Sequence, residues 1–317
     1  MRELILDMDI GVDDAIALMY LSTKPDIRIV AVGSCHGNTG AADAAENGLR
    51  LLALCGLDDV PVAVGAVQPL VRPVNLGPEV HGADGLGNVR DTAAPATARR
   101  PVGESAAEQL VRLVRDRPGR LDVLATGPLT NLALALRLEP RLPELVGSVV
   151  IMGGAANAVG NMNPVAEANI WKDPEAARMV FEASWPLTMV GLDVTMRTIL
   201  DEAAIARIAG SDRPKARLAT AILRHYLDFY QSILGYERRV CPLHDPLAAG
   251  ITADPTLVRR ALRADVVVDC GEDARGMTIV DQRRNGGPAT EPRLATEVVL
   301  EVDSERFVED LVAALTT

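Results

Sequence analysis

The sequence lacks an excess of positive charge. Its 32 lysines and arginines are outnumbered by 43 aspartates and glutamates, which leaves a net charge of −11. This balance disfavours nucleic acid and anionic membrane surfaces as partners, and we expect neither. No apolar run approaches the roughly 18 residues that a membrane span requires, and no basic, cleavable leader precedes the first apolar stretch. The expected protein is therefore a cytoplasmic enzyme.

Cysteine is also scarce. The four cysteines, at positions 35, 55, 241 and 270, form no CxxC pair and are widely separated. This spacing argues against a disulfide framework and against a zinc site, and it fits free thiols in a reducing compartment. The sequence contains no internal repeat and no low-complexity linker, so we expect residues 1–317 to form a single domain.

Short runs rich in β-branched residues alternate with segments of helical periodicity along most of the sequence. The expected strands are residues 3–9, 27–34, 60–65, 121–127, 148–154 and 186–194. The expected helices are residues 13–22, 40–56, 103–116, 129–138, 173–184, 201–209, 213–234, 245–252 and 304–315. This alternation is typical of an α/β protein with an open, mostly parallel, doubly wound sheet and helices on both faces.

From residue 255 the pattern changes. Strands are expected at residues 265–270, 277–281 and 296–302, with NGGPATEP (285–292) as a hairpin loop. We therefore expect a small C-terminal antiparallel appendage on the same domain.

Four aspartates, Asp7, Asp9, Asp13 and Asp14, stand where the first apolar strand gives way to a helix. One carboxylate at such a position is explained by capping of the helix N-terminus. Four in the pattern DxDxxxDD favour a site for a hard cation, because that much like charge needs a cation, a proton or open water. Open α/β sheets bind their ligands at the carboxyl ends of the strands, which is where these residues lie.

Two later segments are unusually polar for their surroundings. Asn161, Glu167 and Asn169 lie in a loop before a helix, and they indicate a ligand rich in hydroxyl groups. The alternative is a turn that hydrogen-bonds to itself. His244 and Asp245 precede a proline and an apolar helix, where the alternative is a helix cap beside an ordinary buried histidine.

Read in order, the motifs resemble those of one family, the calcium-dependent nucleoside hydrolases of the inosine-uridine preferring type. They are DMDIGVDD (7–14), HGN (36–38), HGADGLG (81–87), ATGPLTN (125–131), MGG (152–154), AEANIWKDPEAA (166–177) and HDPLA (244–248). The resemblance covers residues 4 to about 249. It implies hydrolysis of the N-glycosidic bond of ribonucleosides to ribose and free base, and it implies a homodimer or a homotetramer.

The resemblance also implies a Ca²⁺ site and a general base. The implied ligands of the cation are Asp9, Asp14, the carbonyl of Thr126 and Asp245. All four offer hard oxygen donors, which agrees with Ca²⁺. Asp9 is then the general base toward the metal-bound water, whose acidity the cation raises. A single displacement by that water implies inversion at the anomeric carbon.

Further motif residues are implied to bind the ribose. They are Asp13, Asn38 and Asn169 for the 2′ and 3′ hydroxyl groups, Asn161 and Glu167 for the 5′ hydroxyl group, and Met152 against the ring. Asn38 is also placed in the catalytic group. Carboxylates around the ring would stabilise the positive charge that the ribosyl group gains only in the transition state.

Two histidines are implied to face the base. His244 is the implied acid for the leaving base, because the unperturbed pKa of histidine lies near neutrality. His81 is the second candidate, and it lies in segment 66–101, which is long for a loop of a compact domain and is expected to act as a lid. The tyrosines at 226, 230 and 236 could stack on the base or relay a proton, but their helical spacing is more typical of a core, so none is assigned a role.

Two departures from the family pattern leave the base preference open. Ile10 stands where the family motif usually has proline, and Ala168 stands where relatives often carry an aromatic residue. Aromatic residues make up only 3% of the whole sequence. The sequence therefore favours neither purines nor pyrimidines.

Two other functions stay open at this point. A phosphohydrolase of the haloacid dehalogenase type would use Asp7 as nucleophile, Asp9 as acid and base, and Mg²⁺ as cofactor. It also needs a lysine positioned for phosphate, and Lys24, Lys172 and Lys215 lack that context. A non-catalytic, Ca²⁺-dependent binder of nucleosides or ribose would need the same motifs without turnover.

Overall fold

A long, mostly parallel sheet runs through the centre of the protein. The computed structural model describes residues 1–282 and 296–317. Their strands are β1 (Arg2–Met8), β2 (Ile27–Ser34), β3 (Val62–Val64), β4 (Leu121–Ala125), β5 (Val149–Met152), β6 (Leu187–Val190), β7 (Ile199–Leu200), β8 (Cys241–Pro242), β9 (Val258–Ala264), β10 (Val266–Val268), β11 (Thr278–Val280) and β12 (Thr296–Val302). The order in the main sheet is β3-β2-β1-β4-β5-β6-β12-β9, and all neighbours are parallel except β12 and β9.

Helices cover both faces of the sheet. They are α1 (Val12–Leu21), α2 (Ala41–Leu54), α3 (Pro78–His81), α4 (Arg90–Ala93), α5 (Ala106–Asp116), α6 (Thr130–Leu138), α7 (Leu142–Leu145), α8 (Ala168–Lys172), α9 (Pro174–Phe181), α10 (Leu192–Thr195), α11 (Glu202–Ala209), α12 (Pro214–Ser232), α13 (His244–Ala253) and α14 (Ser304–Thr316). Leu4 of β1 packs in one apolar cluster with α1, α2 and α13, whereas Ile5 packs in a second with α5, α6 and α9. Successive strand residues point to opposite faces, so β1 serves both layers. The predicted α/β fold with helices on both faces is confirmed.

The C-terminal strands differ in one respect from the sequence prediction. β10 and β11 form a separate antiparallel pair, and β9 is an antiparallel edge strand. β12, however, lies in the main sheet, parallel to β6. Its residues Val298, Val299 and Leu300 are buried in succession, which fits a strand covered on both faces. The predicted hairpin loop NGGPATEP (285–292) lies outside the described residues.

The carboxyl ends of β2, β1, β4 and β5 lie side by side, because these four strands are parallel neighbours. Segment 66–101 is attached near these ends, since the amide of His36 donates to the Ala66 carbonyl (3.0 Å) and the amide of Gly77 donates to the Asn38 carbonyl (3.2 Å). Most of the polar motifs follow these strand ends, so the fold brings them together. No helix of the described residues is both long enough and apolar enough to span a membrane.

Candidate active site

Three aspartates from opposite parts of the chain meet beside the carboxyl end of β1. Asp13 and Asp14 lie in the first turn of α1, and Asp245 lies in the first turn of α13. One carboxylate oxygen of each lies within 4.8 Å of the other two, and all three residues are buried. Burial and the neighbouring carboxylate of Asp14 raise the pKa of Asp13 to about 7. Burial, followed by the carboxylates of Asp13 and Asp14, raises the pKa of Asp245 well above its usual value.

This cluster of Asp13, Asp14 and Asp245 fits a hard divalent cation. Asp13 Oδ1 and Asp245 Oδ2 are buried, and neither accepts a hydrogen bond from a donor among the described residues. A buried carboxylate oxygen without a donor costs free energy, which a cation or a proton removes. The cluster offers oxygen ligands and no thiol or imidazole, which is the donor set of Ca²⁺ or Mg²⁺.

Asp9 lies next to this cluster and is held by Asn38. The backbone amide of Asn38 donates to Asp9 Oδ2 (2.6 Å), and its side-chain amide donates to Asp9 Oδ1 (3.2 Å) and to Asp14 Oδ2 (3.0 Å). Gly37 permits this approach, because a Cβ at that position would lie 1.9 Å from Asp9 Oδ2. Asp14 also accepts from the hydroxyl of Thr126 (2.6 Å). Burial and the charge of Asp14 raise the pKa of Asp9 well above its usual value.

A cavity of about 320 Å³ opens beside these carboxylates, a volume in the usual range of small-molecule sites of ~300–1,000 Å³. The sequence-predicted residues that line it are Asp13, Asn38, His81, Thr126, Met152, Asn161, Glu167, Asn169, His244 and Asp245. Asp9 and Asp14 are fully buried behind that lining. The structure therefore brings the predicted binding residues to one cavity, with two of the predicted metal ligands beneath its wall.

The polar loop before α8 both bonds to itself and faces the cavity. Glu167 caps α8, because its carboxylate accepts from the amides of Asn169 (2.9 Å) and Ile170 (3.1 Å). The side chain of Asn161 accepts from the amide of Ala168 (3.0 Å). The side chain of Asn169 donates to the carbonyl of Thr126 (2.7 Å). A carbonyl oxygen has two lone pairs, so Thr126 keeps one for a ligand.

His244 has two hydroxyl partners in the wall of the cavity. Its Nε2 lies 3.1 Å from the Tyr230 hydroxyl, and its Nδ1 lies 2.9 Å from Thr195 Oγ1. Burial lowers the pKa of His244 to about 4. Burial in the free protein therefore moves His244 away from the near-neutral pKa of an unperturbed histidine. His244 is neutral at pH 7.

His81 extends the predicted lid into the same cavity. It is buried at the end of α3, where its Nδ1 accepts from the amide of Val12 (3.2 Å) and lies 3.8 Å from Asp13 Oδ1. Burial lowers the pKa of His81 to about 3. His81 is therefore also neutral, and it acts as a neutral hydrogen-bonding group.

Two tyrosines to which the sequence assigned no role, Tyr226 and Tyr230, lie at the site. The Tyr226 hydroxyl donates to Asp13 Oδ2 (3.2 Å) and lies 3.5 Å from the Tyr230 hydroxyl. Both line the cavity, whereas Tyr236 packs its ring on Tyr230 at 5.3 Å. Their i,i+4 spacing on α12 was interpreted as a core pattern, and both rings are indeed buried. The spacing does not show that their hydroxyl groups also contact Asp13 and His244 at the cavity.

Asp7 stands apart from the cavity. Its Oδ1 accepts from the side chain of Asn131 (2.7 Å), and the residue is 5% exposed. It is not part of the cavity lining. A nucleophilic role for Asp7, which the phosphohydrolase alternative requires, therefore has no support in this geometry.

Comparisons with known proteins agree with the motifs. A family model described as inosine-uridine preferring nucleoside hydrolase matches residues 4–309. An inosine-uridine preferring nucleoside hydrolase of Leishmania major is 35% identical over 312 residues, which are 96% of this chain and 95% of that protein. The pyrimidine-specific ribonucleoside hydrolase RihA of Photobacterium profundum is 35% identical over 316 residues, which are 99% of this chain and 98% of that protein. The solved structure of a plant nucleoside hydrolase, PpNRh1, has a TM-score of 0.93 at 31% identity and covers 100% of this chain and 99% of its own.

The family match and the two sequence relatives each extend over nearly the whole chain. They confirm the resemblance that the seven motifs indicated. They therefore favour a nucleoside hydrolase over the two alternatives, a phosphohydrolase and a non-catalytic binder. The protein belongs to the inosine-uridine preferring nucleoside hydrolase family and is an enzyme that hydrolyses ribonucleosides to ribose and free base.

Proposed function

We propose that the protein carries out this hydrolysis with Ca²⁺ as cofactor, Asp9 as general base and His244 as the acid for the leaving base. The observation that carries the proposal is the buried cluster of Asp13, Asp14 and Asp245, which has two oxygens without donors at one end of a nucleoside-sized cavity. Buried carboxylates of this kind are retained where a cation or a developing positive charge needs them.

The residues that would hold the cation are Asp9, Asp14, Asp245 and the carbonyl of Thr126. Ca²⁺ bound there would supply a more acidic water and a fixed positive charge toward the ribose hydroxyl groups. Asp13 faces the cavity, unlike Asp9 and Asp14, so its carboxylate is available to a ribose hydroxyl group.

Asp9 takes the proton from the attacking water. Its two hydrogen bonds from Asn38 fix the direction of the carboxylate, which is why Asn38 belongs to the catalytic group. The water then adds to the anomeric carbon from the side of the carboxylates. One displacement inverts that carbon, and no covalent ribosyl-enzyme forms.

The ribose lies among carboxylate and amide groups in this proposal. Asp13, Asn38 and Asn169 bind the 2′ and 3′ hydroxyl groups, and Met152 lies against the ring. As the bond to the base breaks, the ring gains positive charge, and buried anions held in place stabilise it more than they stabilise the substrate. Asn161, in the loop before α8, and Glu167, the cap of α8, bind the 5′ hydroxyl group.

The leaving base accepts its hydrogen bond or proton from the histidine side of the cavity. His244 is neutral in the free protein, so it would take up a proton from solvent and pass it to the leaving base, which returns the imidazole to its neutral form, while the Tyr230 hydroxyl holds Nε2 at 3.1 Å. Tyr230 stays protonated, since burial raises its pKa well above the usual value. His81 supplies a second polar contact to the base from the lid.

The test is a reducing-sugar assay with inosine, adenosine, guanosine, uridine and cytidine, in Ca²⁺ and in excess chelator. We expect ribose release in Ca²⁺ and a loss of about 100-fold or more in chelator. Asp9→Asn should lower kcat by about 10²- to 10⁴-fold and should still bind nucleoside. The matched control is Asp58→Asn at the surface, which should keep full activity. Undiminished turnover by the chelator-stripped enzyme would contradict the role of the cation.

We also propose an oligomeric state, a cellular location and a domain organisation for the protein. A homodimer or homotetramer is proposed from the family resemblance, and light scattering of the purified protein tests it. A cytoplasmic location is supported by four cysteines that are all free thiols. A single domain is supported by the main sheet, which takes strands from both ends of the described chain.

A further inference from the structure

Lys172 is a buried cation in a site that is otherwise acidic. It is the last residue of α8, it is 8% exposed, and it lines the cavity. Among the described lining residues it is the only lysine or arginine. Burying an ammonium group is unfavourable unless it has hydrogen-bond partners and nearby anions. The groups that the ammonium group contacts therefore indicate why a charge is buried here.

The ammonium group of Lys172 has two backbone partners. Its Nζ donates to the carbonyl of Gly37 (3.0 Å) and to the carbonyl of Asn75 (2.9 Å). Gly37 follows β2, and Asn75 belongs to segment 66–101, the predicted lid. One side chain thus joins the turn after β2 to the segment that covers the cavity.

The bond to Gly37 continues to Asp9 through a single peptide unit. The carbonyl of Gly37 and the amide of Asn38 are the two ends of that unit. Lys172 donates to the carbonyl oxygen of Gly37, and the N–H of Asn38 donates to Asp9 Oδ2 at 2.6 Å. A cation at the oxygen polarises the peptide and strengthens the N–H as a donor. The order of contacts is therefore lysine, peptide, carboxylate.

The bond from Lys172 to Asn75 holds a lid residue that lies two positions before Gly77, which itself contacts the turn after β2. The amide of Gly77 donates to the carbonyl of Asn38 (3.2 Å), so the lid contacts the turn directly as well as through Lys172. The neighbouring Asp173 accepts from the amide of Leu70 (3.0 Å). Two adjacent residues at the end of α8 thus hold the lid, and one of them, Lys172, also contacts the turn that bonds to Asp9.

We propose that Lys172 is a positioning residue that orients Asp9 through the peptide between Gly37 and Asn38 and fastens segment 66–101 to the same peptide. The inference rests on the proposed role of Asp9 as general base. It assigns Lys172 to the chemical step, because a misdirected base slows proton transfer even when substrate still binds.

The experiment compares Lys172→Met, Lys172→Gln and Lys172→Arg with the wild-type enzyme. Lys215→Met, on α12, is the matched control. For Lys172→Met we expect kcat to fall by about 10- to 100-fold, with KM changed by less than about threefold. Lys172→Arg keeps the charge and two donors, so it should recover most of the lost kcat. Lys172→Gln keeps a donor without the charge and should resemble Lys172→Met.

A second readout does not depend on turnover. The Ca²⁺-induced rise in melting temperature should be retained in all three Lys172 variants, since none removes a proposed ligand. If Lys172→Met does not fold, Lys172→Gln and Lys172→Arg still compare an uncharged with a charged side chain at position 172. A kcat within about twofold of wild type in the neutral variants, or a change in KM alone, would overturn the inference.

The outcomes also separate this inference from the proposed function. If the wild-type enzyme releases ribose and Asp9→Asn does not, but the neutral Lys172 variants keep their kcat, only the role of Lys172 fails. If Asp9→Asn keeps its kcat, the proposed general base fails, and the inference fails with it.

Discussion

Asp7 and Asp9 stand two residues apart, but their carboxyl groups have different surroundings. Asp7 has one hydrogen-bond donor, Asn131, and is otherwise enclosed. Burial raises the pKa of Asp7 to about 7, so a large fraction is protonated at neutral pH. Asp9 instead borders other carboxylates and receives two hydrogen bonds from Asn38. At the scale of the residue, one aspartate is structural and the other is suited to chemistry.

This difference predicts that an Asp→Asn substitution has a small effect on kcat at position 7 and a large effect at position 9. Asp7→Asn replaces a protonated carboxyl by an amide of similar shape, whose oxygen can still accept from Asn131. We expect kcat to stay within about threefold of wild type and the free energy of unfolding to stay within about 1 kcal/mol. Steady-state assays and urea unfolding measure both, with Asp9→Asn as the comparison. A loss of kcat as large as that of Asp9→Asn would show that Asp7 takes part in catalysis.

At the scale of the element, the start of α9 has two tasks. Asp173 caps this helix, since its Oδ1 accepts from the amide of Ala176 (3.1 Å). Its Oδ2 accepts from the hydroxyl of Thr130 (2.7 Å) and from the amide of Leu70 (3.0 Å). The cap of one helix is thus also an anchor of the lid. The cap of α5, Ser105, is only partly buried, and its hydroxyl accepts from the amide of Glu108 (3.3 Å).

The two caps should therefore differ in what their removal costs. We expect Ser105→Ala to lower the free energy of unfolding by about 1 kcal/mol with no change in kcat. Asp173→Ala should lower it by about 2–4 kcal/mol, because three buried hydrogen bonds are lost together. It should also raise KM by more than the Lys172 variants do, since the amide of Leu70 loses its acceptor on Asp173, and the Lys172 variants keep that contact. Urea unfolding and initial rates test both variants, and equal losses of stability would contradict the second task of Asp173.

The elements also show what the sequence could predict. The long helices and the central strands have clear periodicity or apolar runs, and the predicted α9 at 173–184 contains the observed Pro174–Phe181. The helices α3, α4, α7, α8 and α10 have four or five residues each and were not predicted. So short a helix carries no periodicity, and its stability comes from tertiary packing. The strand at 296–302 was predicted, but its parallel pairing with β6 was not, because that pairing is non-local.

At the scale of the whole molecule, the site exists only because distant segments meet. Asp13 and Asp14 come from the first helix, and Asp245 comes from α13. The residues themselves indicated a cation site at the N-terminal aspartates, but only the family resemblance joined Asp245 to it. The low pKa of His244 was not predicted, because it follows from burial by the complete fold.

The same carboxylates make the effect of Ca²⁺ dependent on pH. The pKa of Asp13 is about 7 in the folded, metal-free protein and 3.8 in the unfolded chain. Its protonated form therefore favours the metal-free fold at low pH, and this contribution is lost as the pH rises through about 7. Asp13 is not one of the proposed ligands, but one of its carboxylate oxygens lies within 4.8 Å of oxygens of Asp14 and Asp245, so a cation held by those residues favours loss of the Asp13 proton. The stabilisation by Ca²⁺ should therefore grow between about pH 5 and pH 8 and then level off.

The measurement is the melting temperature in Ca²⁺ minus that in chelator at each pH. The difference removes the contributions of the buried histidines, which are common to both conditions. Asp245→Asn should show no increase in melting temperature with Ca²⁺ at any pH. A difference that is the same at pH 5 and at pH 8 would mean that protons and cation do not compete for these carboxyl groups.

The parallel pairing of β12 with β6 has a consequence for synthesis on the ribosome. β12 lies far from β6 in the sequence, so β6 remains the edge of an incomplete sheet until the later strand has been made. An unpaired strand edge readily associates with other chains. The nascent protein is therefore most prone to aggregate between the synthesis of β6 and that of β12, and slow translation of the intervening segment would lengthen the period in which it needs a chaperone.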